Sequence, residues 1–473
     1  MAGGKWTVLE TMDPSQRSGF YINFVADALA GISGGALGVV AIPVTAPWGP
    51  EATIVTIGSM AELESTFSAK DEGTAYFQIK EALRSGARMV MAYRMAVSAT
   101  KASLNLQSSA AANLVTVTAR WTGAFGNDLS VSVVNSLADA TKKEFRVYLG
   151  STLLEKFLFD NTVGTDSLIA AVGNSSNYVI LTKIAAGVIK DYANTPLAGG
   201  TSGLSITATQ MTAAFSAFEG RASEWNILAV PTTDAAIQSS AVDFVKRLRS
   251  EGSFVTLCLG HTANNDLAGA KSKASSINSE AVVYHNVGAV IDGVTRAPYE
   301  LVGKLAGMIA GAGPDQSITY AEVQNIDSLV NVLTHTQVKE ALKSGLLVAF
   351  NDGTANRVEK GINTLTRYGE GQHEGYSKIK VVAIMDAIGN ALTQSANRNY
   401  IGKVLNDEAG QQALIGAIKD AFDQYAQGRL IKPGYTVALD PNRPSVGDMV
   451  FLTMGITPVD AMEEVYATIR VGR

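Results

Sequence analysis

Hydrophobic and polar positions change their period several times along this chain, and each change marks a structural boundary. Residues 1 to about 17 are polar, contain Pro14 and show no helical period, so they read as an extended arm. Phe20-Tyr-Ile-Asn-Phe-Val then predicts a short strand, followed by strands at Gly38 to Pro43 and Ala52 to Ile57. Ser59-Met-Ala-Glu62 has capping-box spacing and opens a helix with Leu63 and Phe67 on one face. A second helix, about Ala75 to Arg84, leads into the strand Arg88 to Tyr93.

From about residue 98 to 200 the chain becomes rich in Ser, Thr, Asn and Ala. Short alternating runs such as Leu114-Val-Thr-Val-Thr and Leu129-Ser-Val-Ser-Val predict strands separated by turns. Leu197 to Gly203 closes this β-rich insert. Afterwards strands (Trp225 to Val230, Phe254 to Leu259, Ala281 to His285) alternate with helices (Asp234 to Ser250, Tyr299 to about Ala310). That alternation predicts a mostly parallel α/β sheet. The last segment reads as strand Lys378 to Ile384, helix Glu408 to Gln427, strand Tyr435 to Leu439 and a terminal strand Val465 to Val471.

The expected fold class is therefore α/β (α+β multidomain). An arm and donor strand occupy 1–27, a middle α/β domain 28–97 and 203–355, a β-rich outer domain 98–202, and a mixed α+β C-terminal domain 356–473. Composition sharpens this picture. With 47% hydrophobic and 17% charged residues the 473-residue chain is globular, and low charge with 45 glycines fits either extensive surface buried against other chains or a large monomer. A formal net charge of -5 argues against a nucleic-acid or anionic-membrane binder. The start of the chain lacks signal-peptide character, and Ala28 to Pro50, although uncharged, is broken by glycines and prolines; folding in the cytoplasm without membrane insertion is expected.

Candidate chemistry is thin. Cys258 lies in an apolar run and reads as a buried small hydrophobe. Gly31-Ile-Ser33-Gly-Gly35 satisfies the nucleophile-elbow pattern, which would make Ser33 the nucleophile of an α/β hydrolase. The motif needs a strand before the serine and a helix after it, and here a strand follows. Gly311-Ala-Gly313-Pro314 follows a helix instead of opening one, and Asn351-Asp-Gly353 is a turn without further calcium ligands. His261, His285, His335 and His373 are dispersed and read as surface residues without catalytic roles. No catalytic residue, cofactor or metal site is expected. A surface adhesin using the β-rich insert is a third reading, though it would normally carry a secretion signal.

Several collinear segments change the balance. Ser18-Gly-Phe-Tyr-Ile-Asn-Phe, Gly38-Val-Val-Ala-Ile-Pro43 with Trp48-Gly-Pro50, Tyr93-Arg94, Thr100-Lys-Ala-Ser103, Gly123-Ala-Phe-Gly-Asn-Asp128 and Leu197 to Gly203 come first. Ala306 to Gly311, Ser317-Ile-Thr-Tyr320, Gly361-Ile-Asn-Thr-Leu365, Ile401 to Asp407 and Pro458-Val-Asp-Ala-Met-Glu463 follow in order. Together they resemble the tail sheath proteins of contractile bacteriophages and related phage-tail-like particles. Gly361 departs from an acidic residue frequent in that family, and the insert tip at about 136 to 195 matches nothing recognisable.

The resemblance implies a structural subunit that stacks as hexameric rings around an inner tail tube and contracts to drive the tube through a cell envelope. It implies assembly in a bacterial host cytoplasm into a virion tail, with baseplate and tail terminator proteins as further partners. A bacteriocin or a non-viral contractile injection device fits equally. Strand exchange between subunits would use Phe20, Tyr21, Ile22, Asn23 and Phe24 at one end. At the other it would use Val465, Tyr466, Ala467, Thr468, Ile469, Arg470 and Val471. Two such strands would contribute roughly ten kcal/mol per subunit before ordering costs. On the Glu408 to Gln427 helix, Leu414, Ile415, Ile418, Phe422 and Tyr425 share one side. Gln411, Lys419, Asp420 and Asp423 lie on the other, either toward the tube or as an ordinary solvated face.

Overall fold

The computed structural model describes residues 38–471, divided into two compact units. Of the described residues, one contains 38–42, 81–91 and 218–471; the other contains Pro43–Lys80 and Ala92–Ala217.

The first unit is built on a sheet ordered Leu346–Leu347, Val282–His285, Thr256–Gly260, Ile227–Ala229, Val39–Val44 and Met89–Arg94. Its first four pairings are parallel, with Tyr284 opposite Leu346, Leu257 opposite Val282, Ile227 opposite Thr256 and Val40 opposite Ile227. Strands covered on both faces need continuous apolar runs, and these are buried at nearly every position. Helix Ala235–Ser250 starts where Asp234 accepts hydrogen bonds from the Ala236 and Ile237 amides. Helix Val302–Ala312 is buried from Val302 through Ala310 and even encloses Lys304, whose Nζ lies 2.7 Å from Glu81 and donates to the Gln324 carbonyl at 2.8 Å. Gly307 is required there, because a Cβ would meet the Ala82 carbonyl oxygen at 2.3 Å.

The same unit carries the C-terminal elements: helices Ile379–Asn399 and Glu408–Gln427 and the antiparallel hairpin Thr436–Leu439/Leu452–Gly455. Ile415, Ile418, Phe422 and Tyr425 are buried as their spacing predicts, against Ile384, Ile388, Leu392 and Phe254. The strand expected at Lys378 to Ile384 is instead the start of the 21-residue helix Ile379–Asn399. Its β-branched opening suggested a strand, but Ile384, Ile388 and Leu392 pack into one cluster and Val381, Val382 and Met385 into another. A helix buried on two sides has few polar positions to display its period.

Phe254 fixes this helix to the sheet. Its ring lies against Gly389, where a Cβ would come within 2.5 Å of it. The Asn390 amide donates to the Phe254 carbonyl at 2.9 Å, and its Oδ1 accepts from the Phe254 amide at 3.2 Å. One turn earlier, Arg249 forms a bidentate pair with Asp386, both bonds at 2.7 Å, and also donates to the Val255 carbonyl at 3.1 Å.

The second unit is a β-sandwich. A four-stranded sheet (Tyr192–Pro196, Leu129–Asn135, Lys143–Leu149, Thr152–Phe159) and a three-stranded sheet (Ser103–Gln107, Asn113–Ala119, Val179–Lys183) enclose one core. That core contains Leu114, Val117, Val131, Phe145 and Val147. The alternation at Leu114 to Thr118 and Leu129 to Val133 is the strand period. Pro43–Lys80 joins this unit for a specific reason. The buried Arg94 guanidinium donates to the carbonyls of Ala46, Gly49 and Thr122 and to the Thr122 hydroxyl, tying two stretches of chain to one charge.

Candidate assembly interface

The C-terminal tail changes character twice within fifteen residues. Up to Val459 it is held by backbone: the Lys432 amide donates to the Thr457 carbonyl at 2.9 Å, the Val459 amide to the Leu430 carbonyl at 2.8 Å, and Ile431 bridges Pro458. From Asp460 to Glu464 it is held by charge. Lys378 pairs with Asp460 and, at 3.1 Å, with Glu463; the Thr319 hydroxyl donates to Glu463 at 2.7 Å; Lys360 lies 2.5 Å from Glu464. The Lys360 ammonium and the Tyr466 hydroxyl bonded to Glu464 hold that carboxylate below its ordinary range.

From Val465 to Val471 the chain pairs with no strand among the described residues. The terminal strand expected from the alternation is therefore absent within the isolated subunit. Val465, Tyr466, Ile469 and Val471 are 81–91% exposed, an apolar run without cover. The run keeps its β-prone sequence; what it lacks is a partner, because a strand exists only through its ladder. Phe20 to Phe24 and Ser33 lie outside the described residues.

Near the root of this tail lies an incomplete sheet. The hairpin Thr436–Leu439/Leu452–Gly455 has four residue pairs and no third strand among the described residues. Val437 is buried, and Leu439, Leu452 and Met454 pack partly buried beside it on the core of helix Glu408–Gln427. Two strands are marginal by themselves, and their outer edges present unpaired amides and carbonyls. On the same helix, Lys419, Asp420 and Asp423 are exposed, with Asp423 accepting from the Tyr435 hydroxyl at 2.5 Å. Gln411 is half-buried and donates to Asn406 at 2.7 Å.

The expected surface histidines divide. His335 begins helix His335–Lys343, and His373 caps the turn Glu374–Ser377 by accepting from the Gly375 amide. His261 and His285 are buried, because each ends or follows an interior strand of the parallel sheet. His261 lies between the Tyr284 hydroxyl at 3.0 Å and Asp266 at 3.1 Å, an arrangement that resembles a proton relay. Tyr284 is itself buried, however, and burial pushes its hydroxyl pKa up, so the relay has no accessible nucleophile at its end. Burial, reinforced by the nearby His261, pushes the His285 imidazole down to about 3. Cys258 is fully buried in its strand, and burial pushes its thiol up.

Sequence reasoning missed Lys378, Lys360 and Thr319. Their partners lie 82, 104 and 144 positions away, so no local pattern joins them. The available signal was on the tail side: the acidic cluster of Asp460, Glu463 and Glu464 just before an apolar alternating run.

Comparison with known proteins places this geometry. Models of the phage tail sheath protein match as β-sandwich domain at residues 97–202, central domain at 205–364 and C-terminal domain at 372–472. The Phage-like element PBSX protein XkdK of Bacillus subtilis is 25% identical over the full length of both chains. The crystal structure of the sheath tail protein from Desulfitobacterium hafniense is 25% identical, with a TM-score of 0.74 over 96% of this chain and 100% of that one. The helical sheath of the anti-feeding prophage in its contracted state shares the fold at 11% identity and a TM-score of 0.52, over 98% of this chain and 99% of that one. The class is thus a tail sheath subunit, a structural protein. The chain belongs to the phage tail sheath protein family.

Proposed function

We propose that this subunit polymerises by donating its C-terminal tail as a strand to a neighbouring copy, and that the resulting sheath contracts around an inner tube. The observation that carries the reading is the uncovered alternating run Val465 to Val471 beyond a firmly held root. The receiving edge is that of the hairpin Thr436–Leu439/Leu452–Gly455, where an added strand would satisfy free backbone groups and extend an undersized sheet. Phe20 to Phe24 supply the second donated strand. Stacked hexameric rings, the four-part division of the chain at 27, 97, 202 and 355, and contacts with tube, baseplate and terminator proteins belong to the same reading. Gln411, Lys419, Asp420 and Asp423 are the residues offered to the tube; the exposure of the last three supports this, whereas Gln411 is already engaged by Asn406.

Contraction is a passage between two packings of one subunit, driven by free energy stored at assembly, so the subunit itself is not an enzyme. The burial of Tyr284 at the end of the His261–Asp266 relay supports this. The particle is a phage tail or a phage-tail-like device, assembled in a bacterial host. Deletion of 465–473 should leave a folded, soluble subunit that forms no polymers or ring stacks by negative-stain electron microscopy at concentrations where the full chain does. Normal polymers from that deletion would overturn strand donation.

A further inference from the structure

We propose that Lys378, Lys360 and Thr319 form an ionic clamp that fixes where, and in which direction, the donated tail leaves its own subunit. The inference rests on the strand-donation reading above and adds a device to it. Nine residues separate strand Leu452–Gly455 from Val465, and backbone bonds hold them only as far as Val459. Were the five residues Asp460 to Glu464 free, they could turn back and let the tail add to its own hairpin, closing the very edge that a neighbour must use. Such self-closure is intramolecular and would compete with assembly at any protein concentration.

The contacts that prevent this are specific. Glu463 is only 7% exposed, so its carboxylate depends on Lys378 at 3.1 Å and on the Thr319 hydroxyl at 2.7 Å. Lys378 also holds Asp460, and it is the residue immediately before helix Ile379–Asn399, so both carboxylates gather near the positive end of that helix. Burial works against the Lys378 ammonium, but hydrogen bonds to Asp460 and Glu463 outweigh it and raise its pKa above the ordinary lysine value. Thr319 is fixed in turn: its hydroxyl accepts from the Gly361 amide at 2.8 Å. Lys360 then takes Glu464 at 2.5 Å, the last carboxylate before the exposed run. Three basic or polar groups thus hold three successive carboxylates, and chain freedom begins at Val465.

A clamped root lowers the ordering cost of strand donation without adding any contact to the neighbour, which is preorganisation. Neutralising it should raise the concentration needed for polymerisation while leaving the monomer folded. The test is the double variant K378M/K360M, measured by pelleting and light scattering, beside the full chain and the 465–473 deletion, with circular dichroism of each monomer. The double variant should need on the order of tenfold more protein to polymerise. It should also lose most of the wild-type sensitivity to added salt between about 0.05 and about 0.5 M. The charge-swapped variant K378E/D460K/E463K should recover much of the wild-type threshold. If the double variant polymerises at the wild-type threshold while the deletion does not, the clamp is overturned and strand donation stands. Failure of the swap to recover any assembly would overturn charge pairing as the cause. If the deletion itself polymerises normally, strand donation fails and the clamp fails with it.

Discussion

Consider the removal of either partner of the Arg249–Asp386 pair, which fastens helix Ala235–Ser250 to helix Ile379–Asn399. Both side chains are buried, and Arg249 spends two of its donors on the carboxylate and shares one with the Val255 carbonyl. In D386N the guanidinium stays charged at any accessible pH and loses its counter-ion, so a cost of about 3–5 kcal/mol is expected, nearly independent of pH. R249M behaves differently. Burial already pushes the Asp386 carboxyl up, against the pull of Arg249, so without Arg249 it takes a proton in the folded state. At pH 7 that uptake costs about 4 kcal/mol against an unfolded value near 3.9. A group with a raised folded pKa stabilises increasingly as pH falls, so the R249M deficit should shrink from pH 7 toward pH 4.5 while the D386N deficit persists. The double variant R249M/D386N should lose less than the sum of the two, because it leaves no buried charge. Urea unfolding of the monomer at both pH values measures all four corners of the cycle. Strictly additive losses, or an R249M deficit that does not change with pH, would refute the assignment of this pair as a desolvated, mutually dependent contact.

Two further outcomes follow from the same unit. G389A should cost about 1–3 kcal/mol, because its Cβ would come within 2.5 Å of the Phe254 ring; pairing it with F254L should recover part of the loss in thermal melts. His285 is held neutral down to about 3, and His261 beside it adds to the cost of a charge. The unfolded chain therefore takes up a proton near pH 6.5 that the folded one refuses, and stability falls as pH drops from about 6.5 toward 3, by up to about 1.4 kcal/mol per unit. H285N, which keeps an acceptor for the Val287 amide, should melt with a flatter pH profile over that window, and an unchanged profile would contradict the assignment.

Much of this architecture was legible locally. The helix from Asp234 to Ser250 was legible from its period, the period of Ile415, Ile418, Phe422 and Tyr425 gave the buried side of Glu408–Gln427, and alternation gave the sandwich strands Asn113–Ala119 and Leu129–Asn135. Helix Ile379–Asn399 failed that reading because two cores claim it, and burial on two sides overrides a β-prone opening. His261 and His285 were misplaced because an isolated histidine does not declare whether its strand is interior. The tail was legible as a sequence fit for a strand, yet among the described residues no strand pairs with it. The clamp was invisible because its charges meet only after the chain has folded.

The abrupt change at Glu464 also bears on how force passes between subunits. A strand pulled along its length must lose its backbone hydrogen bonds nearly together, whereas one lifted from an end loses them singly. With its root pinned at Asp460 to Glu464 and its side chains exposed beyond Tyr466 among the described residues, a segment donated as proposed would swivel yet be loaded mainly lengthwise. Such a joint would be weak against rotation and strong against tension, which would let a lattice change its pitch without coming apart.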